Sequence, residues 1–121
     1  MATGFRNLTL YQKAFALAMD IFLKSKSFPK EEQYGLVSQI RNCSRSVCAS
    51  IGEAYRKRRY PAHFVSKMSD ADMENSEIQV WLDFALACEY ISKIEYEDFI
   101  TKSEEVGRLL HHAIENPERY K

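Results

Sequence analysis

The spacing of seven residues between Phe64 and Ala85 leaves this chain little choice of fold. Phe64, Met68, Ala71, Asn75, Ile78, Leu82 and Ala85 follow one another at intervals of 4, 3, 4, 3, 4 and 3 residues. An α-helix turns once in about 3.6 residues, so this alternation lines all seven side chains along one face. A strand repeats every two residues and would scatter them over both faces. A helix with such a seam must bury it against other helices, which is the arrangement of a bundle. Asn75 is the one polar member, and it fixes pairing register if it is buried.

Three other segments carry the same period, which predicts an all-α, single-domain, up-down-up-down antiparallel four-helix bundle. The first segment spans about residues 9–26, with Leu10, Ala14, Leu17 and Ile21 inward. Tyr11, Phe15, Ala18 and Phe22 form a second, adjoining stripe, which calls for a central position or an oligomer contact. The second segment spans about 30–58. Pro29 and the acids Glu31 and Glu32 precede it as a helix N-terminus prefers. Its inward line is Leu36, Ile40, Cys43, Val47, Ile51 and Ala54, and Gly35 and Gly52 admit a close neighbour. The third spans about 62–92 and the fourth about 95–115, with Phe99, Val106, Leu110 and Ala113 inward. Short connections make consecutive helices antiparallel. Trp81, off the main seam of the third segment, either completes the core or joins a subunit interface.

Composition excludes several classes. A chain of 121 residues with 45% apolar content makes one core. The longest apolar run, Ala14 to Met19, is six residues, against about 20 for a membrane span. The N-terminus lacks the basic-then-apolar layout of a secretory signal, so a cytoplasmic location is expected. The cysteines, Cys43, Cys48 and Cys88, are three, fall in helical segments and form no C-x-x-C, so they read as small buried hydrophobes.

The zero net charge conceals an asymmetry. Residues 1–67 hold 12 Lys and Arg against 4 Asp and Glu, a net of +8, and residues 68–121 hold 5 against 13, a net of −8. If the second and third helices pair about a turn near residue 60, facing positions sum to about 120. Arg41 and Arg45 then fall near Glu74 and Glu77, and these four are expected to form ion pairs. By the same rule Arg56, Lys57, Arg58 and Arg59 face Pro61 to Phe64, where no acid stands. Cations suit a helix C-terminus, though four exceed that need.

An up-down bundle also brings its N-terminus and C-terminus to this end. Arg6, Lys13, Arg119 and Lys121 are therefore expected to join the run, with Tyr55, Tyr60 and His63 supplying aromatic surface. Basic residues interleaved with aromatics suit phosphate contact and base stacking. A merely solvated rim or an acidic protein partner are the alternatives.

Catalytic and metal-binding patterns are missing. No glutamate has a histidine three residues later, as di-metal bundles require. His111 and His112 are adjacent and diverge by about 100° on a helix. There is no phosphate loop, nucleophile elbow or H-E-x-x-H. The expectation is a non-enzymatic protein without metal or cofactor.

The segment Phe28-Pro29-Lys30-Glu31-Glu32-Gln33-Tyr34-Gly35-Leu36 resembles the F-P-x-x-E-x-Y-G-L motif of the bacterial four-helix-bundle family encoded in intervening sequences of 23S ribosomal RNA genes. Gln39-Ile40-Arg41 with Ser46-Val47, then Ile51 and Glu53, then Ala71 and Glu77, are similar to its later blocks. Ser50, Gly52, Ala54, Met73 and Glu74 depart from the family's pattern. The resemblance implies a ring-shaped homopentamer. It also implies kinship in fold with accessory proteins of diversity-generating retroelements, pentamers that bind nucleic acid and a reverse transcriptase.

Together these readings predict an oligomeric module that contacts RNA or DNA backbones through its basic end, alone or beside a nucleic-acid-handling protein. The alternatives are a protein–protein scaffold that ignores nucleic acid and, less favoured because Asn75 is the only inward polar residue, a small-molecule-binding bundle.

Overall fold

The structure, a computed structural model, describes residues 3–121. Four helices dominate: α1 (Thr9–Ser25), α2 (Leu36–Arg56), α3 (Pro61–Ala87) and α4 (Lys93–Glu115). Short 3-10 turns cover Gly4–Asn7, Lys30–Glu32 and Pro117–Tyr120, and no strand occurs among the described residues. Each helix packs on the next, and α4 closes against α1, with α2 and α3 sharing the largest interface. Cross-helix pairs fix the antiparallel sense. Glu53 faces Lys67, Asn75 faces Ser103, and Lys13 and Lys24 face Glu105 and Glu95.

The seam from Phe64 to Ala85 is buried at all seven positions, as are the predicted inward residues of the other three helices. Asn75 is satisfied by α4. Its amide Nδ2 donates to the Ser103 carbonyl at 2.9 Å, and its Oδ1 accepts from the Ser103 hydroxyl at 3.1 Å. Gln79 donates to the same hydroxyl at 3.1 Å. A buried amide with fixed partners permits one register of α3 on α4, because any slip strands the amide without a partner.

The second helix starts six residues later than its sequence pattern predicts. Pro29 opens only a single 3-10 turn. The Glu32 carboxylate then folds back as a cap, accepting from the Leu36 amide at 3.1 Å. Gly35 makes room for it, since a Cβ there would lie 2.9 Å from Glu32 Oε1. The other carboxylate oxygen accepts from the Tyr90 hydroxyl at 2.8 Å, and the Phe28 and Tyr90 rings pack at 5.5 Å. The Phe-Pro-x-x-Glu stretch thus clamps the start of α2 to the α3–α4 connection.

The third helix ends at Ala87 rather than near 92. The Tyr90 amide donates to the Ala85 carbonyl, the Glu89 amide to that of Leu86, and Glu89 takes φ +63°. This is the Schellman stop, usually built on glycine. Ser92 and Glu95 then form a reciprocal capping box that starts α4.

Of the cysteines, Cys43 is buried, Cys48 half-buried and Cys88 exposed. The expectation of three buried thiols holds fully only at Cys43, holds in part at Cys48 and fails at Cys88, which caps α3 after its last helical residue. Burial pushes the Cys43 thiol up to about 12 and that of Cys48 up to about 11, so both stay protonated and unreactive at neutral pH.

Candidate nucleic-acid interface

The C-terminal end of α2 and the N-terminal end of α3 meet at a tight turn. Arg56 closes α2, Lys57 caps it, and Pro61 opens α3, with Arg58, Arg59 and Tyr60 between them. The chain's first turn docks on the same end. Its Phe5 lies 3.8 Å from where a Cβ of Gly52 would sit and meets the Tyr11 ring edge-on at 4.9 Å. A Cβ there would make ordinary van der Waals contact with the ring, so the small residue allows the docking without being required for it, and the docked turn places Arg6 beside the end of α2. The last turn folds back likewise, with Tyr120 packed on Phe64 at 5.1 Å, which brings Arg119 to this end.

Arg6, Arg56, Lys57, Arg59, Tyr60 and Arg119 are exposed. Arg58 is half-buried; it lies 4.2 Å over the Tyr55 ring and donates to the Tyr55 carbonyl at 3.1 Å. Lys57 stands 5.9 Å over the Tyr60 ring, and Tyr60 meets His63 edge-on. Among the described residues, no ion pair joins Arg6, Arg56, Lys57, Arg58, Arg59 or Arg119 to a carboxylate. The ion pairs formed by cations elsewhere use Lys13, Lys24, Lys67, Lys102, His111 and Lys121. Glu53, one turn before Arg56, is taken by Lys67 at 3.7 Å.

Two expected members fall away. Lys13 points across to α4 and pairs with Glu105 at 3.1 Å. Lys121 pairs with Glu118 at 2.9 Å.

The expected pairs of Arg41 and Arg45 with Glu74 and Glu77 are also not formed. The register was sound, as Glu53 and Lys67 show, but the face was not. Arg41 follows the inward Ile40 by one residue and is turned about 100° toward α1. There it donates to Ser25 Oγ at 2.8 Å and lies 4.7 Å over the Phe22 ring, with Arg45 5.7 Å over the same ring. Glu77 instead accepts from the Trp81 indole at 3.2 Å. Glu74 lies near Glu77 and Asp70, and burial followed by those two charges raises its carboxyl pKa.

A second basic cluster, Lys26, Lys30 and Arg41, lies at the opposite end and was not foreseen. Its signal was the run of lysines at 24, 26 and 30 around the first turn. Among the described residues, no group of three or more His, Cys, Asp or Glu side chains is placed to hold a metal. None of the described helices is long and apolar enough to cross a membrane.

No curated protein matches the chain. It is similar to the crystal structure of a protein with unknown function from the S23 ribosomal protein family of Bacteroides thetaiotaomicron. That likeness has 27% identity and a TM-score of 0.78, and it covers 88% of this chain and 95% of that one. The model of the 23S rRNA-intervening sequence proteins matches residues 6–112. A match over that much of its length means that the chain belongs to the 23S rRNA-intervening sequence protein family.

Proposed function

We propose that this protein is a non-enzymatic, self-assembling module that contacts nucleic-acid backbones through the α2–α3 end. One observation carries the proposal. Arg56, Lys57 and Arg59, with Arg6 beside them, stand exposed and unpaired, while nearby Lys67 and Lys13 are held by carboxylates. Unpaired cations at a rim release counterions on meeting phosphates, and such contact is largely blind to sequence. Tyr60, 61% exposed, offers a stacking surface among them. Membership of a family named for ribosomal RNA intervening sequences supports nucleic acid as the polyanion.

Support for self-assembly comes from two apolar stripes that the chain leaves uncovered. Phe15, Met19 and Leu23 line α1, and Met73, Val80 and Phe84 line α3. The two differ, so one copy's α1 stripe against the next copy's α3 stripe is a head-to-tail contact, of the kind that forms a ring when the rotation between copies closes and a filament when it does not. The family resemblance gives five as the number of copies. A ring would gather the basic ends and raise their shared potential.

The same stripes favour the second reading, a scaffold that uses them to hold a protein partner and binds no nucleic acid. A gel-shift titration with RNA and with DNA, at low and at physiological salt, separates the two. Binding at low salt that is lost in the Arg56→Glu/Arg59→Glu variant supports the first; no shift at low salt removes it.

A further inference from the structure

The corner where α1 turns into α2 holds a cavity of about 280 Å³, at the opposite end of the bundle from the basic rim. Ser25, Lys26, Lys30, Gln33 and Arg41 supply its polar lining, and no carboxylate is among the lining residues. Phe28 and Pro29 form its apolar wall. The nearest acids in sequence do not enter it, and Glu32 is committed to the Leu36 amide and the Tyr90 hydroxyl.

Three features of this corner belong to an anion site. First, none of its cations forms an ion pair among the described residues, whereas Lys24 next to it is held by Glu95 at 2.8 Å. Second, Arg41 is half-buried without a counter-charge, an arrangement that costs free energy unless an anion completes it. Third, Arg41 is already fixed. Its Nε donates to Ser25 Oγ at 2.8 Å, its Nη2 reaches toward the Phe22 carbonyl at 3.4 Å, and the Phe22 ring lies beneath it. These bonds use two of the five N–H groups of a guanidinium, so three remain for a ligand.

The corner itself is stiff. Ser27 and Phe28 amides donate to the carbonyls of Lys24 and Ser25, and Phe28 is buried against Tyr90. A fixed planar fork flanked by two exposed ammonium groups matches the geometry and charge of a phosphoryl group. The cavity is slightly smaller than the range of about 300–1,000 Å³ typical of drug-sized ligands, which suits a small anion.

We propose that this corner is a phosphoryl-binding site distinct from the basic rim. Arg41 provides the bidentate contact, Lys26 and Lys30 close over the anion, and Gln33 offers a neutral hydrogen bond. The phosphoryl group comes either from a small phosphorylated anion or from a nucleic-acid backbone; both present the same oxygens to the same donors.

The test is an NMR titration of the full chain at constant ionic strength and pH, first with pyrophosphate and then with a short single-stranded RNA. Saturable shifts centred on residues 25–41 are expected. Arg41→Gln and Lys30→Gln should each weaken the response by about tenfold or more, as the loss of a charge-assisted contact does. Arg56→Glu/Arg59→Glu, at the other end, should leave the pyrophosphate response unchanged, which separates this site from the rim. Response to pyrophosphate identifies a free anion as sufficient, and response to RNA alone identifies the backbone. If neither ligand moves the corner residues, or if Lys30→Gln and Lys26→Gln titrate like the parent, the site does not exist. Those two exposed lysines keep the test valid should Arg41→Gln fail to fold.

Discussion

Glu32 and Tyr90 are 58 residues apart in the chain, and the Tyr90 hydroxyl donates to the Glu32 carboxylate at 2.8 Å. The same carboxylate caps α2, so one side chain holds the start of α2 and the α3–α4 connection together. Glu32→Ala removes both contacts and is expected to cost about 1–3 kcal/mol in urea unfolding, while Tyr90→Phe removes one and costs less. The two should not add, since they share a bond. Additive losses would mean that the contact is not formed in solution.

The bond also sets an alkaline dependence. The Glu32 carboxylate, as acceptor and as a neighbouring charge, pushes the Tyr90 phenol up from 10 to about 12. A folded-state pKa above the unfolded one gives stability that is complete below pH 10 and lost as the pH rises toward 12. Tyr90→Phe should make that part of the stability curve shallower, leaving the losses due to the raised Cys43 and Cys48 thiols, and an unchanged curve would count against the bond.

Asn75 and Ser103 give a second test. Asn75→Ala leaves the Ser103 carbonyl and hydroxyl short of a buried partner. A loss of about 1–3 kcal/mol at unchanged denaturant slope is expected. A loss below about 0.5 kcal/mol, within the usual range for surface changes, would show that the amide is dispensable for pairing.

Glu89 is the one non-glycine residue at positive φ among those described. Its side chain is exposed. Glu89→Gly relieves the cost of the left-handed conformation and should stabilise the protein by about 1 kcal/mol. Loss of stability would mean that the α3 stop differs from the Schellman geometry.

These residues also show what the sequence discloses. The seam from Phe64 to Ala85, with Asn75 buried in it, was legible because period and polarity follow from helix geometry alone. The start of α2 was not. Pro29, Glu31 and Glu32 look like a helical first turn, and only the distant Tyr90 and the room at Gly35 reveal Glu32 as a cap. Arg41 and Arg45 were placed in the right register but on the wrong face, because a rule for facing positions fixes height along a helix and not rotation about it. The basic rim was readable as a run without acids. The corner cluster was not, since Arg41 reaches it only through the fold.

The uncovered stripes make self-assembly testable. Phe84, 53% exposed on α3, and Leu23, 58% exposed on α1, lie on different faces. Phe84→Glu or Leu23→Glu should each reduce the mass seen by light scattering to that of a monomer while the helical circular dichroism persists. A parent protein that is already monomeric at high concentration would remove the head-to-tail ring.

The basic rim remains the centre of the functional proposal, and its salt dependence tests it most directly. Fluorescence anisotropy of labelled single-stranded RNA, across a salt series, should give an affinity that falls linearly on logarithmic axes, by about 0.7 per phosphate engaged. Arg56→Glu/Arg59→Glu should weaken binding by about tenfold or more and reduce that slope by about one to two phosphates. Binding curves that coincide for the parent and the double variant, or no binding at low salt, would contradict contact through this end of the bundle.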